Sequence, residues 1–128
     1  MTEGSFKIGD YVTAIYKTGK YIGEITAVRP SSYLVKIGAV EKHPMQGDLH
    51  NPKQTEVGMF HQRRALAFRE QTNVPLNMVR PFEGKVPDYK ESLREAVNKM
   101  KMNLSEENSP WSLKSLEMLE DLERDYFK

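Results

Sequence analysis

The sequence changes character near Gly84, and this change constrains the fold more than any other feature. Before Gly84, short runs of β-branched and aromatic residues are separated by Gly, Pro, Asn and Ser, as in short strands joined by turns. After Gly84, Leu, Met, Glu and Lys dominate, and these residues favour helices. A chain of 128 residues has room for one modest core. We therefore predict an α+β fold, with a small β-barrel at residues 1–84 and helices at residues 85–128.

Three strands are predicted in the first 40 residues. Residues 10–16, 21–28 and 33–40 are rich in β-forming side chains and are separated by short turns, so we expect a meander. Gly19 is expected to supply a positive φ in the first turn. A long loop follows at about residues 41–60, where Pro, Gly, Asn, Asp and His replace apolar residues. Loops of this length in compact domains are usually functional.

Two further strands complete the predicted barrel. Residues 63–70 (RRALAFRE) alternate in character, which predicts a fourth strand with Leu66 and Phe68 on its core face. Residues 72–75 are expected to form a turn, and residues 78–82 a short last strand. Five short strands at this spacing are typical of a small, highly bent barrel.

The last third of the chain predicts two helices packed on the barrel as an αα-hairpin. Asp88 and Glu91 match a capping box at the start of the first helix, which we expect to end before residues 103–108. Ser109 and Pro110 match the start of the second helix. The first helix has one apolar face, formed by Tyr89, Leu93, Ala96, Val97, Met100 and Leu104.

The composition excludes several classes of protein. The chain contains no Cys, so it has no disulfide, catalytic thiol or thiolate-bound metal. Its 19 basic and 18 acidic residues nearly cancel, which gives no general attraction to nucleic acid or anionic lipid. The mean hydropathy is −0.65, without an apolar run of the roughly 18 residues needed to cross a membrane, and the first residues do not match a signal peptide. We expect a cytoplasmic protein without direct membrane insertion.

The histidines raise the possibility of metal binding or catalysis. His43, Asp48, His50 and His61 lie in or beside the long loop, and imidazole and carboxylate groups are zinc ligands. Their spacing matches no compact ligand pattern, and the chain contains neither a GxSxG elbow nor a phosphate-binding loop. We therefore expect no metal, no cofactor, no small-molecule substrate and no catalytic residues.

Nucleic-acid binding is the alternative function that the sequence leaves open. Arg63, Arg64 and Arg69 are close in sequence to Phe60 and Phe68, and Tyr33 and Lys36 are expected on a nearby strand. Small barrels can bind single strands by stacking bases over a basic groove. Acidic residues dilute this group, so we consider nucleic acid the less favoured partner.

A surface that binds another protein is the favoured interpretation. The long loop combines the apolar residues Met45 and Leu49 with hydrogen-bonding side chains and two prolines, as a modest recognition surface would. The alternative is that Met45 and Leu49 only fix the loop to the barrel. The predicted partner-binding residues are His43, Gln46, Asp48, Leu49, His50, Phe60, His61, Arg63 and Arg64.

Four segments of the chain resemble one known family. YKTGKYIGE (16–24), KHPMQGDLHNPKQ (42–54), FHQRRALAFREQTNVP (60–75) and PDYKESL (87–93) are similar to the kinase-associated protein B family, also called kinase-associated lipoprotein B. The resemblance implies an SH3-like barrel with a helical C-terminal part. It also implies a non-enzymatic accessory factor for a membrane-bound sensor histidine kinase, in the phosphorelay that starts sporulation. No catalytic residue is carried over.

The word lipoprotein does not fit this sequence, because a lipid anchor requires a cysteine and the chain contains none. We therefore expect that any recruitment to the inner face of the cell membrane occurs through the partner.

Overall fold

The protein is described by a computed structural model that covers residues 5–47 and 60–128. A five-stranded antiparallel sheet is followed by two helices, which confirms the predicted α+β class. The elements are β1 (Tyr11–Tyr16), β2 (Gly19–Val28), β3 (Ser32–Lys42), β4 (Gln71–Pro75), a 3-10 turn (Leu76–Met78), β5 (Val79–Pro81), α1 (Tyr89–Glu107) and α2 (Pro110–Tyr126). The strand order is β4-β3-β2-β1-β5.

The sheet is strongly curled. β4 and β5 lie at opposite edges of the sheet, yet only the three residues of the 3-10 turn join them, so the two edges must approach each other. The pairing of β2 with β3 is interrupted by three register shifts, and such bulges bend a sheet. A Cβ atom on Gly23 would lie 2.4 Å from the carbonyl oxygen of Lys36, so only glycine fits this bend. The SH3-like type of barrel and the domain boundary near residue 84 stay predictions.

The first hairpin differs from its prediction in one detail. Lys17 and Thr18 form the turn, with φ values of 45° and 70°, as in the two-residue turns that match the twist of antiparallel strands. Gly19 is already part of β2. A Cβ atom there would lie 2.5 Å from the Tyr21 hydroxyl oxygen, so glycine is needed for space, not for a positive φ.

The helices begin where the sequence predicts. The Asp88 carboxylate accepts a hydrogen bond from the Glu91 amide, and Ser109 forms a reciprocal capping box with Ser112. The expected end of α1 before residues 103–108 is wrong. α1 continues to Glu107 because buried Leu104 extends its apolar face. The helix ends at Asn108, which adopts the left-handed conformation with a φ of 51°.

The core lies between the curled sheet and the helix pair. α1 packs against β3, and the Ser92 hydroxyl accepts a hydrogen bond from the Val40 amide at 2.9 Å. Fully buried side chains of both layers meet in this core, among them Val12, Ile25, Val35, Val74, Val97 and Leu119. α1 is therefore packed on the sheet, and α2 packs against α1.

The predicted strand at residues 63–70 is wrong. Residues 61–70 are irregular, and the fourth strand lies at β4, where a turn was expected. The burial pattern is also inverted: Ala65 is buried, Leu66 is half-buried and Phe68 is 58% exposed. The alternating pattern was misleading because distant side chains, described below, bind the backbone of this segment.

Candidate partner-binding cleft

Gln46 joins the two ends of the predicted long loop. Its amide oxygen accepts from the Arg63 backbone N–H at 2.8 Å, and its amide nitrogen donates to the Arg63 carbonyl at 2.9 Å. Next to it, the Gly47 amide donates to the His61 carbonyl at 2.8 Å. The buried Gln46 side chain therefore pairs with Arg63 as the backbone of a neighbouring strand would.

Helix α2 holds this junction from the other side. The Trp111 indole N–H donates to the Gln46 carbonyl at 3.3 Å, and the Gln62 side chain donates to the Met118 carbonyl at 3.0 Å. Gly47 has a φ of 100°, and a Cβ atom there would lie 3.2 Å from the Phe60 ring. A glycine at this position therefore allows both the turn and the close approach of Phe60.

His43 is completely buried and hydrogen-bonded on both ring nitrogens. Nδ1 lies 3.0 Å from the Pro44 carbonyl oxygen, and Nε2 lies 2.9 Å from the Tyr126 hydroxyl. A carbonyl can only accept, so Nδ1 must carry the proton. Nε2 of the neutral ring then accepts a hydrogen bond from the Tyr126 hydroxyl, whose oxygen accepts a hydrogen bond from the Ala65 amide at 2.9 Å. Burial lowers the pKa of His43 from its ordinary value of 6.5 to about 4.

Two more tyrosines bind the same irregular segment. The Leu66 amide donates to the Tyr21 hydroxyl at 3.3 Å, and the Tyr89 hydroxyl donates to the Leu66 carbonyl. Burial raises the pKa of Tyr21 to about 12, which keeps this hydroxyl protonated. Side chains from α1, α2, β2 and the residues after β3 therefore bind the backbone of Arg63, Ala65 and Leu66, and these groups are not available to pair with a strand.

A surface cleft of about 330 Å³ lies beside this network, and we call it the Arg63 cleft. It combines three cationic side chains with one carboxylate and with aromatic and apolar walls. Its lining residues are Tyr16, Lys17, Tyr21, Pro44, Gln62, Arg63, Arg64, Leu66 and Glu70. An open, mostly cationic cleft of this kind is suited to anionic groups of a partner.

Arg64 lies at the edge of this cleft and is held by two residues of α2. Its guanidinium hydrogen-bonds the Asp125 carboxylate and lies 5.0 Å from the centre of the Tyr126 ring. The hydrogen bond from Arg64, together with one from Lys128, holds the pKa of Asp125 below its usual value. Arg64 is thereby fixed to the last turn of α2.

The predicted partner-binding residues fall into three groups. His43 and Gln46 lie in the interior, and their side chains hold the loop ends together, so neither can lie at the rim of an interface as the sequence suggested. Arg63 and Arg64 line the Arg63 cleft, while Phe60 and His61 are half-buried nearby. Asp48, Leu49 and His50 lie outside the described residues.

Among the cations of the cleft, Lys17 was missed by the sequence reasoning, as were all the uncharged residues of its lining. Lys17 belongs to the turn of the first hairpin, and its only signal in the sequence is a cation at the tip of a predicted turn. Met45 is half-buried, packs against the core and donates its amide to the Thr18 hydroxyl at 2.9 Å. The structure therefore agrees with the alternative in which Met45 fixes the loop to the barrel.

The residues grouped for nucleic-acid binding are distributed over separate surfaces. Lys36, Phe68 and Arg69 line a second cleft of about 430 Å³ together with Tyr11 and Tyr89, whereas Arg63 and Arg64 line the Arg63 cleft. Tyr33, expected on the same face, is buried in the core. The structure thus does not assemble these residues into one basic groove.

Metal ligands do not converge in the part of the chain that the structure describes: there, no three His, Asp or Glu side chains are placed to hold an ion. Within residues 5–47 and 60–128, neither α1 nor α2 has a stretch that is long and apolar enough to cross a bilayer.

The fold and the cleft define a small α+β protein with a surface suited to binding another macromolecule, and comparison with known proteins narrows this class. The family described as "Kinase associated protein B" matches residues 16–127. A relative from Bacillus subtilis (strain 168), named "Kinase-associated lipoprotein B", is 57% identical over 123 residues, which is 96% of each chain. The chain therefore belongs to the kinase-associated protein B family, as its sequence segments suggested.

A solved structure supports the same assignment. The crystal structure of kinase-associated protein B from Bacillus cereus is 51% identical in sequence and superimposes with a TM-score of 0.82. The match covers 95% of this chain and 98% of that one. The curled sheet and the C-terminal helix pair are therefore common to both proteins.

Proposed function

We propose that this protein is a non-enzymatic accessory factor that binds a membrane-bound sensor histidine kinase and promotes its signalling in a sporulation phosphorelay. One observation carries the proposal: the chain matches, over nearly its full length, a relative whose name states an association with a kinase. A partner that is itself a protein also suits the Arg63 cleft, which is open and lined by charged and aromatic side chains.

The chemistry of His43 favours a binding role over catalysis. Both ring nitrogens are engaged by Pro44 and Tyr126 inside the protein, and the ring stays neutral at physiological pH. A general acid or base must instead reach a proton of the substrate and have a pKa near the working pH. His43 is therefore used to build the structure beside the cleft.

Activation of a kinase by such a factor requires unequal binding to two states of the kinase. A partner that binds the active state and the inactive state equally shifts nothing, however tightly it binds. A preference of about 1.4 kcal/mol for the active state shifts the equilibrium tenfold. In this proposal the protein resides in the cytoplasm and reaches the inner face of the membrane through the kinase.

Reconstitution with a purified sporulation histidine kinase tests this proposal. The kinase, inserted in lipid nanodiscs, is titrated with this protein while complex formation and autophosphorylation are measured. We expect saturable binding and a faster autophosphorylation that saturates over the same concentrations. Binding without any change in kinase output, or no binding, would contradict the proposal.

A pair of charge-reversal variants locates the contact surface. Arg63→Glu with Arg64→Glu should weaken kinase binding and cost some stability without unfolding the protein, because the contact of Arg63 with Gly47 and the ion pair of Arg64 with Asp125 are lost. Lys90→Glu with Lys99→Glu changes the net charge equally on the exposed surface of α1 and should bind the kinase normally. Circular dichroism confirms folding of both variants, and equal binding by both would remove the Arg63 cleft from the interface.

A further inference from the structure

We propose that the Arg63 cleft binds a carboxylate-bearing segment of the partner protein, with Lys17 and Arg63 as the cations that it meets. This inference rests on the proposed function for the identity of the partner and adds its chemistry. The cleft is lined by Lys17, Arg63 and Arg64 against the single carboxylate of Glu70, whereas the whole chain carries a net charge of only +1. Cations therefore outnumber carboxylates in the lining of this cleft, even after the pairing of Arg64 with Asp125, and charge complementarity selects an acidic occupant.

Lys17 and Arg63 are the cations of the cleft that form no ion pair within the described residues. Arg64 is engaged by Asp125, and the Glu70 carboxylate accepts from the Ala67 amide at 2.8 Å. Among residues 5–47 and 60–128, no carboxylate forms an ion pair with Lys17 or Arg63. The Lys17 ammonium lies 5.4 Å from the centre of the Tyr16 ring.

The backbone of the cleft favours carboxylates over a phosphate group. Phosphate sites are commonly built from free backbone N–H groups. Here the amides of Arg63, Ala65 and Leu66 already donate to Gln46, Tyr126 and Tyr21. These three amides are therefore unavailable to an anion, whereas the side-chain cations Lys17 and Arg63 line the cleft.

The position of these cations favours an extended acidic segment. Lys17 belongs to the turn between β1 and β2, while Arg63 follows the predicted long loop, so the charges come from two separate parts of the fold. Successive acidic residues of one segment can meet them in turn. The walls formed by Pro44 and Leu66 provide apolar contact between the charged ends.

The test uses ¹⁵N-labelled protein and a ten-residue glutamate peptide as the probe. We expect the amide signals of residues 16–17 and 62–66 to shift on titration, and the affinity to fall steeply as salt screens the charges. Lys17→Gln with Arg63→Gln should weaken binding about tenfold, as expected for the loss of two partly exposed charge pairs. The matched control, Lys90→Gln with Lys99→Gln, removes two charges elsewhere and should bind almost as well.

A single variant guards against a folding defect. The Arg63 Nε atom donates to the Gly47 carbonyl at 3.2 Å, so Arg63→Gln also removes a structural contact. Lys17→Gln alone affects only the exposed turn and should weaken binding about threefold. If Lys17→Gln and the control variant bind the peptide equally, or if the shifts map outside the cleft, the inference is wrong. Inorganic phosphate that shifts the same signals at the same concentration would also overturn the choice of carboxylates.

The kinase itself separates this inference from the proposed function. If the parent protein and Lys17→Gln with Arg63→Gln bind the kinase with equal affinity, the acidic-segment inference fails and the proposed function stands. If the parent protein binds the glutamate peptide in the cleft but does not bind the kinase, the proposed function fails and the chemistry assigned to the cleft stands. Weaker kinase binding by the variant supports both.

Discussion

The sheet and the irregular segment at residues 60–70 satisfy their backbones in two different ways. In the sheet, each strand pairs with its neighbour through main-chain groups that every residue type except proline can supply. In the segment, single side chains take that role: Gln46 binds Arg63, Tyr126 binds Ala65, and Tyr21 binds Leu66. Substitution of these three partner side chains should therefore cost more stability than substitution of an exposed strand residue, and the candidate cleft lies beside the segment that they bind.

The largest loss of stability is expected when Gln46 is substituted. Gln46→Ala removes both hydrogen bonds to Arg63 and leaves buried backbone groups unpaired, which should lower the free energy of unfolding by about 4 kcal/mol. The matched change in the sheet is Gln71→Ala at the exposed start of β4, which should cost less than about 1 kcal/mol. Urea denaturation measures the free energy of unfolding of both variants. Equal losses would show that Gln46 contributes no more to stability than an exposed residue of the sheet.

The second effect depends on pH and is specific to His43. Its pKa is about 4 in the folded protein and 6.5 in the unfolded chain, so the unfolded chain binds more protons between these values. Stability should therefore fall as the pH decreases from 6.5 to 4, by about 3 kcal/mol at most, and this contribution should change little below pH 4. His43→Gln should remove this part of the pH dependence.

The slope of stability against pH is the readout for His43, since the substitution itself also affects packing. The parent chain should lose stability more steeply than His43→Gln between pH 6.5 and 4. Nuclear magnetic resonance of the imidazole gives an independent check, and titration of the folded His43 ring near pH 6.5 would contradict the buried, neutral assignment.

A smaller change, in this case an increase in stability, is expected when Ser115 of α2 is substituted. The Ser115 hydroxyl is buried and has no hydrogen-bond partner among the described residues. Ser115→Ala removes this unpaired group and keeps the close packing, so it should raise the free energy of unfolding by about 1 kcal/mol. Ser112→Ala is the matched control, because the Ser112 hydroxyl is used in the cap of α2 and its loss should destabilise. A decrease in melting temperature for Ser115→Ala would reveal a partner of its hydroxyl.

The smallest effect is expected at Phe68. Its alternating position predicts a core residue whose loss would cost about 2–5 kcal/mol. In the structure the ring is largely exposed and touches Tyr89 at 5.7 Å between ring centres, so Phe68→Ala should cost less than about 1 kcal/mol. Thermal denaturation measures this, and a loss above 2 kcal/mol would restore Phe68 to the core.

These two regions also differ in how well the sequence predicted them. The first three strands and both helix starts depend on patterns and caps that act within a few residues, as with Asp88 and Glu91, and they were found nearly in place. The segment at 60–70 depends on partners far away in sequence, such as Tyr126 for Ala65. Local alternation cannot reveal such partners, so a strand was predicted there.

The candidate site was predicted in part for the same reason. Arg63 and Arg64 are adjacent charges, and because charged side chains are rarely buried, their surface position could be predicted from the sequence. Lys17 joins them only because the first hairpin folds against the same segment. The burial of His43 and Gln46 could not be anticipated either, because polar residues in a Pro-rich loop usually face solvent.

The position of Tyr126 has a consequence for folding during synthesis. A ribosome makes the chain from the N-terminus, and every strand of the sheet is complete before the last turn of α2 is translated. The hydrogen bonds of the His43 ring and the Ala65 amide with the Tyr126 hydroxyl can therefore form only after residue 126 has been synthesised. The network beside the Arg63 cleft is therefore completed only after this tyrosine has been synthesised.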